Sequence, residues 1–157
     1  MQKVTPFLWF DGTAEEAVNF YVSIFKNGTV GETRIYAEGG PAPGGKVMSV
    51  DFQIDGQNYI AFNGGPYFKL TPAFSMFVSC ETQAEVDDLW DRLIEGGGEA
   101  SRCGWLKDKY GLSWQIIPTA LAEGLQDKDP AKSKRVMEAM MQMSKIDIAT
   151  IEQARAG

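Results

Sequence analysis

Two stretches of this chain, FLWFDGTAEEAVNFYVSIF (7–25) and MFVSCETQAEVDDLWDRLI (76–94), repeat one pattern 69 residues apart. Each opens as a short apolar strand and then reaches a capping-box sequence, Thr13 with Glu16 in the first and Thr82 with Glu85 in the second. In such a box the N-cap hydroxyl accepts from the amide three residues on, while the glutamate returns to the N-cap amide, so both mark helix starts. The stripes that follow are in phase: Ala17, Phe20, Tyr21, Ile24 and Phe25 correspond to Val86, Leu89, Trp90, Leu93 and Ile94. That spacing is a helix with one buried face. Glycines close both helices, at Gly28 and at Gly96-Gly97-Gly98. One stripe alone reads only as core. Two stripes in the same phase read as a duplication, and the chain must fold as two like modules.

Strand signals follow each helix. VMSVDFQI (47–54) alternates, with Met48, Val50, Phe52 and Ile54 on one face and Val47, Ser49, Asp51 and Gln53 on the other. Asp55-Gly56 then leads into NYIAFN (58–63), a tight hairpin. In the second half RCGWLKD (102–108), Tyr110-Gly111 and LSWQIIP (112–118) read as the same hairpin, with Gly56 matching Gly111 and Tyr59 matching Trp114. EGGPAPGGK (38–46) reads as a flexible loop. Each half is one strand, one helix and about three strands. The expectation is an α+β fold of tandem βαβββ modules, 1–68 and 69–120, followed by a helical extension, 121–157.

The extension differs from both modules. DPAKSKRVMEAMMQMSK (129–145) is expected to be helical, with Asp129 as N-cap and Pro130 at the first helical position, and 147–155 a second short helix. Val136, Met140 and Met143 make one stripe, flanked by Met137 and Met141. Methionines at this spacing read as gap-filling core or an oligomer contact, with a ligand lid as the lesser reading.

Composition excludes several classes of partner. The net charge of −6, with acids and bases interspersed, argues against a phosphate-binding surface or an anionic membrane. Lys132, Lys134 and Arg135 form a local basic cluster that reads as a solvated helix face, so no nucleic-acid partner is expected. No apolar run approaches the roughly 20 residues that cross a bilayer, and MQKVTPFLWFDG lacks the pattern of a signal peptide. The expected location is the cytoplasm. Cys80 and Cys103 are too few for a disulfide framework and fit no zinc spacing, so they read as buried free thiols.

TPFLWFDGTAEEAVNFY, YIAFNGGPYF, FVSCETQAEVDDLW and above all CGWLKDKYGLSWQIIP resemble the vicinal oxygen chelate superfamily of glyoxalase I, extradiol dioxygenases and bleomycin-resistance proteins. Within it the chain, tail included, is most similar to the PhnB-like group labelled 3-demethylubiquinone-9 3-methyltransferase. The resemblance implies a cup built by paired modules from a curved mixed sheet, and a homodimer to which the Met-rich helix contributes. In metal-dependent members two inward-facing residues per module, usually His and Glu, hold a divalent ion whose open positions polarise substrate oxygens. Carried over, those places are Pro6 and Ile60 in the first module and Ser75 and Gln115 in the second. Proline and isoleucine have no ligating side chain, serine and glutamine are weak neutral ligands, and the chain contains no histidine. The expectation is therefore no metal and no cofactor.

Three functional readings follow. The first is a metal-free binder of an unidentified small molecule, with Gln115, Ser75 and Asp51 as polar groups and Trp9, Tyr59 and Trp105 as aromatic walls; Trp114, Tyr67, Ser49 and Ser113 are further candidates. Any single aromatic among these reads more readily as core packing than as a wall. The second is an enzyme. The label suggests methyl transfer, but the glycine runs at 39–45 and 96–98 do not join a strand to a helix as a nucleotide-type donor site requires. Acid–base work by Asp51 or thiol chemistry at Cys80 or Cys103 lacks a partner base. The third is a structural dimer with a vestigial cup.

Overall fold

The computed structural model describes residues 2–157, which form two compact units: one ends at Leu70 and the other runs from Thr71 to Gly157. The first contains β1 (Phe7–Phe10), α1 (Ala14–Ile24), β2 (Thr29–Ile35), β3 (Val47–Ile54) and β4 (Gln57–Asn63). Its sheet has the order β1-β4-β3-β2. The meander β2–β3–β4 is antiparallel, and β1 returns parallel to β4 because α1 carries the chain across the sheet between β1 and β2. The second unit repeats this with β5 (Ser75–Cys80), α2 (Gln83–Ile94), β6 (Glu99–Ala100), β7 (Trp105–Lys107) and β8 (Ser113–Pro118), in the order β5-β8-β7-β6. The fold is α+β, as the repeat predicts.

Each helix packs its stripe on one face of its own sheet. In the first unit Ala14, Ala17, Val18, Tyr21 and Ile24 are buried with Leu8, Phe10, Val50, Phe52, Ile54, Tyr59 and Ala61. In the second Val86, Leu89, Trp90 and Leu93 meet Met76, Leu106, Trp114 and Ile116. Each large apolar side chain buried this way contributes roughly 2 kcal/mol. Strand alternation then leaves a second face on each sheet free of helix.

The helix starts are less alike than the matched boxes imply. The Thr82 hydroxyl accepts from the Glu85 amide at 3.2 Å, but the Glu85 carboxylate accepts from the amide of Glu81, one residue before the cap. Thr13 makes no side-chain cap at all. The Ala14 amide instead donates to Oδ1 of Asn63, at the end of β4, at 2.9 Å. A tertiary partner has replaced a local one.

The two hairpins differ as well. Asp55 and Gly56 have φ of 52° and 79° and join β3 to β4 by a two-residue turn. The connection between β7 and β8 is a longer loop built around Asp108, which is 2% exposed. Its Oδ1 accepts from the amides of Tyr110 and Leu112, at 2.9 and 3.0 Å, and its Oδ2 accepts from Trp114 Nε1 at 2.9 Å.

Three helices end the chain: α3 (Thr119–Leu125), α4 (Pro130–Met141) and α5 (Ile148–Ala156). Asp129 caps α4 with Pro130 at its start, as expected, but the helix stops four residues before Lys145. The carbonyls of Met143 and Ser144 leave helical geometry to accept from the amides of Cys103 and Gly104. Helix α3 was not foreseen; it is a single short element whose Gly124 lets it approach Val136 of α4. Ile117, Leu121, Val136, Ile146 and Ile151 form a core here, with Met140 and Met143 packed against it. These methionines fill core, while Met137 and Met141 are exposed.

Candidate functional site

The helix-free face of the first sheet is set by register. Phe7 lies beside Ile60 and Asp51 in one row across the sheet, and Trp9 beside Phe62, Ser49 and Arg34 in the next. One half of the face is therefore aromatic and the other charged. Trp9 makes edge contacts with Phe62 and Phe68 at 5.1 and 5.0 Å, and its Nε1 donates to the Gly65 carbonyl at 2.9 Å. Gly64 has no side chain because the Trp9 ring occupies the place: a Cβ would lie 2.2 Å from it. Arg34 grips Asp51 with both terminal nitrogens, at 2.8 and 3.2 Å, and reaches Glu32 at 3.1 Å. The hydrogen bond and charge of Asp51, then the charge of Glu32, hold the Arg34 pKa above its ordinary value. A depression of about 420 Å³ opens on this face, bordered by Thr5, Thr29, Gly31, Asp51, Asn58 and Ile60.

Tyr59 does not share this face. It lies opposite Phe52, stacked on it at 5.2 Å on the side packed by α1. Tyr59 also borders the depression, but its side chain is buried, and burial, then the charge of Asp55, pushes its pKa up. Its ring packs in the core against Phe52, so Tyr59 meets the depression only at its edge and does not stand as a wall on the helix-free face. The cause is strand parity: Ile60 and Tyr59 are neighbours, so only one of them can face away from the helix. Trp114 is in the core for the same reason, and Tyr67 is 80% exposed.

On the second sheet the helix-free face carries Ser75, Phe77, Trp105 and Gln115. Gln115 sits directly between Phe77 of β5 and Trp105 of β7. Its Nε2 donates to the Ser75 hydroxyl at 3.0 Å. Among the described residues its carbonyl Oε1 and the Trp105 indole N–H have no partner, and Phe77 is 58% exposed. The face thus presents an acceptor, a donor and an exposed aromatic ring on paired strands.

Register also corrects one of the four inherited metal positions. Gln115 pairs with Phe77 and Ile60 with Phe7, so the counterpart of Ser75 is Thr5, not Pro6. The repeat offset is 69 in the helices but 70 in the first strands, because two residues, Asp11 and Gly12, separate Phe10 from the cap Thr13 and only Glu81 separates Cys80 from Thr82. Thr5, Ile60, Ser75 and Gln115 contain no anionic or imidazole ligand, so the residues at these places do not fit a divalent ion. No group of three or more His, Cys, Asp and Glu that could hold a metal exists among the described residues.

The reactive candidates fare similarly. Asp51 is committed to Arg34. Cys80 is buried, and burial, then Glu85, pushes its thiol up to about 12, too high for a nucleophile at neutral pH. Cys103, expected to be buried like Cys80, is instead partly exposed, on a turn where it is held at φ 58°. Sequence reasoning missed Arg34, Phe62 and Phe77. The signal that would have found them is the pairing of β2 with β3 and of β5 with β8, which one strand's alternation does not contain.

Comparison with known proteins agrees with this architecture. The family model described as 3-demethylubiquinone-9 3-methyltransferase matches residues 2–117. A putative 3-demethylubiquinone-9 3-methyltransferase, the PhnB protein of Bacillus cereus, is 37% identical with a TM-score of 0.67; the match covers 74% of this chain and 99% of that one. A protein of Pseudomonas aeruginosa is 21% identical with a TM-score of 0.61, over 75% of this chain and 98% of its own, and shares the fold. No curated protein matches. No helix among the described residues is long and apolar enough to cross a membrane. With paired βαβββ modules, a family match spanning both and a relative at 37% identity, the chain belongs to the PhnB-like, 3-demethylubiquinone-9 3-methyltransferase family of the vicinal oxygen chelate superfamily.

Proposed function

We propose that this protein binds a small organic molecule without a metal ion, and that Gln115 is the polar centre of the site. The observation that carries this is the pairing of Gln115 with Trp105 on adjacent strands, next to the exposed Phe77 ring, with no partner among the described residues for Gln115 Oε1 or the Trp105 indole N–H. A rigid acceptor, a donor and an aromatic surface suit a planar molecule with complementary polar edges. In the first unit Trp9, Phe62 and the Arg34–Asp51 pair offer a comparable mixture. Asp51 serves there as an anchor for Arg34 rather than as a base.

The test is a thermal-shift and tryptophan-quenching screen of planar metabolites, repeated on Gln115→Ala. The response should vanish while stability changes by less than about 1 kcal/mol, since the side chain is only half buried. Unfolding on substitution would make Gln115 a core residue and sink the reading. Elemental analysis should find no stoichiometric zinc, nickel, iron or manganese; one tightly held ion per chain would refute metal independence.

The family's printed description keeps an enzyme as the second reading. Each sheet has one parallel pair, and the turn from β1 to α1, Asp11-Gly12-Thr13, carries one glycine. That offers little to a nucleotide-type methyl donor. Saturable heat on titration with S-adenosylmethionine would revive the methyltransferase reading. The proposal extends to a homodimer, supported by exposed Phe7, Tyr67, Phe68 and Phe77, and to a cytoplasmic setting, supported by two free thiols.

A further inference from the structure

The family match ends at Ile117, and 74% of this chain already covers 99% of the Bacillus cereus relative. Helices α3–α5 therefore lie beyond the residues that the family model matches. They are not loosely appended. Ile117 lies two residues beyond Gln115 on the same face of β8, and it is buried in the core that α3, α4 and α5 make with the 143–147 connection. The extension thus covers the end of the face that carries Gln115.

It also grips the chain just before Trp105. The amides of Cys103 and Gly104 donate to the carbonyls of Met143 and Ser144 at 2.9 and 2.8 Å. Cys103 and Gly104 take consecutive left-handed conformations, φ 58° and 86°, which aim both amides at that segment. Gly104 has no room for a side chain, because a Cβ would lie 2.8 Å from Ile117 Cδ1 and 3.1 Å from Ile146 Cγ1. Arg102 donates to the Met141 carbonyl at 3.0 Å. On the other side Gln83 of α2 imitates a backbone strand: its Nε2 donates to the Ile146 carbonyl at 3.0 Å and its Oε1 accepts from the Ile148 amide at 2.8 Å. Lys145 pairs with Asp87 at 2.9 Å.

We propose that the C-terminal extension is a positioning clamp for the Gln115 face: it walls that face at Ile117 and, through the Cys103–Gly104 turn, fixes Trp105 across from Gln115. The proposal rests on the reading of this face as the binding site only for its functional meaning; the geometry it asserts is measurable without a ligand. Trp105 is a positioned residue and Gln83 the positioning one.

The experiment uses the full chain labelled with 5-fluorotryptophan, with the Trp105 resonance identified by its loss in Trp105→Phe. Gln83→Ala should shift or broaden that resonance and leave those of Trp9, Trp90 and Trp114 in place. Hydrogen exchange at the amides of Cys103, Gly104 and Ile148 should quicken together by about tenfold, as expected for one cooperative opening. If the Ile148 amide loses protection while Trp105 and the 103–104 amides stay as in the parent, the extension is a stabilising appendage and the proposal fails. Should Gln83→Ala leave Ile148 protected, Gln83→Ala combined with Ile146→Ala provides the stronger release. An unmoved Trp105 resonance in that variant overturns the proposal equally. Failure of the ligand screen leaves these readouts unaffected.

Discussion

Asp108 takes three donors at once, two amides of its own loop and the indole of Trp114, from a position that is 2% exposed. A buried carboxylate is tolerable only when so surrounded, and its removal leaves all three donors unsatisfied. Asp108→Ala should cost about 3 kcal/mol, read as a lower urea midpoint. Asp108→Asn should also destabilise, because an amide fills the space but turns a donor toward at least one of them. In the sequence DKYGLSW this residue looks like one more polar turn position, and nothing local marks it as buried. Cys80 shows the same limit: its burial was legible, but not the height of its pKa, which depends on burial and on Glu85 of α2. A thiol at about 12 in the fold against an ordinary 9.0 means the folded state holds its proton more tightly. That contribution is intact below pH 9 and is lost as pH rises towards 12, at most about 4 kcal/mol over the window. The melting temperature of the parent should therefore fall faster above pH 9 than that of Cys80→Ala.

At the scale of elements, helix stripes were legible because a 3.6-residue period is written within a dozen residues. Helix caps were only half legible. Thr82→Ala should cost about 1 kcal/mol, whereas Thr13→Ala should be nearly neutral, since Asn63 supplies the cap of α1; paired denaturation curves distinguish the two. Strand faces were legible up to parity. The alternation of 47–54 placed Asp51 away from the helix, but an extra residue between β1 and α1 moved the counterpart of Ser75 from Pro6 to Thr5. The docking of the tail on α2 is pH-sensitive in a predictable direction. Hydrogen bonds from Gln83 and then Lys145 hold the Asp87 pKa below the ordinary 3.8. Its contribution is present above that value and is lost as pH falls through the lowered one. The protection factor of the Ile148 amide, with the intrinsic pH dependence of exchange divided out, should accordingly fall only below about pH 4 and stay constant between pH 5 and 8.

For the whole molecule, light scattering should report a homodimer, and Phe7→Glu or Phe77→Glu should shift it towards monomer if these exposed rings meet a second copy. A monomer at all concentrations would remove the dimer and leave the two faces as solvent-exposed binding surfaces.

The sequence by itself determined the duplication, the α+β class, the buried stripes of both helices, the Asp55-Gly56 turn and the lack of charged ligands at the inherited metal places. All of these are local periodicities or residue identities. The tertiary structure alone decided that Tyr59 is core and Ile60 is not, that Arg34 occupies Asp51, that Asn63 caps α1, and that the tail leaves helical geometry at Met143 to grip the turn before Trp105. Those outcomes depend on which strands pair, in which register, and on what covers a face, and such long-range choices leave no period in the chain. The pairing of β5 with β8 and of β7 with β8 is what sets Gln115 between Phe77 and Trp105.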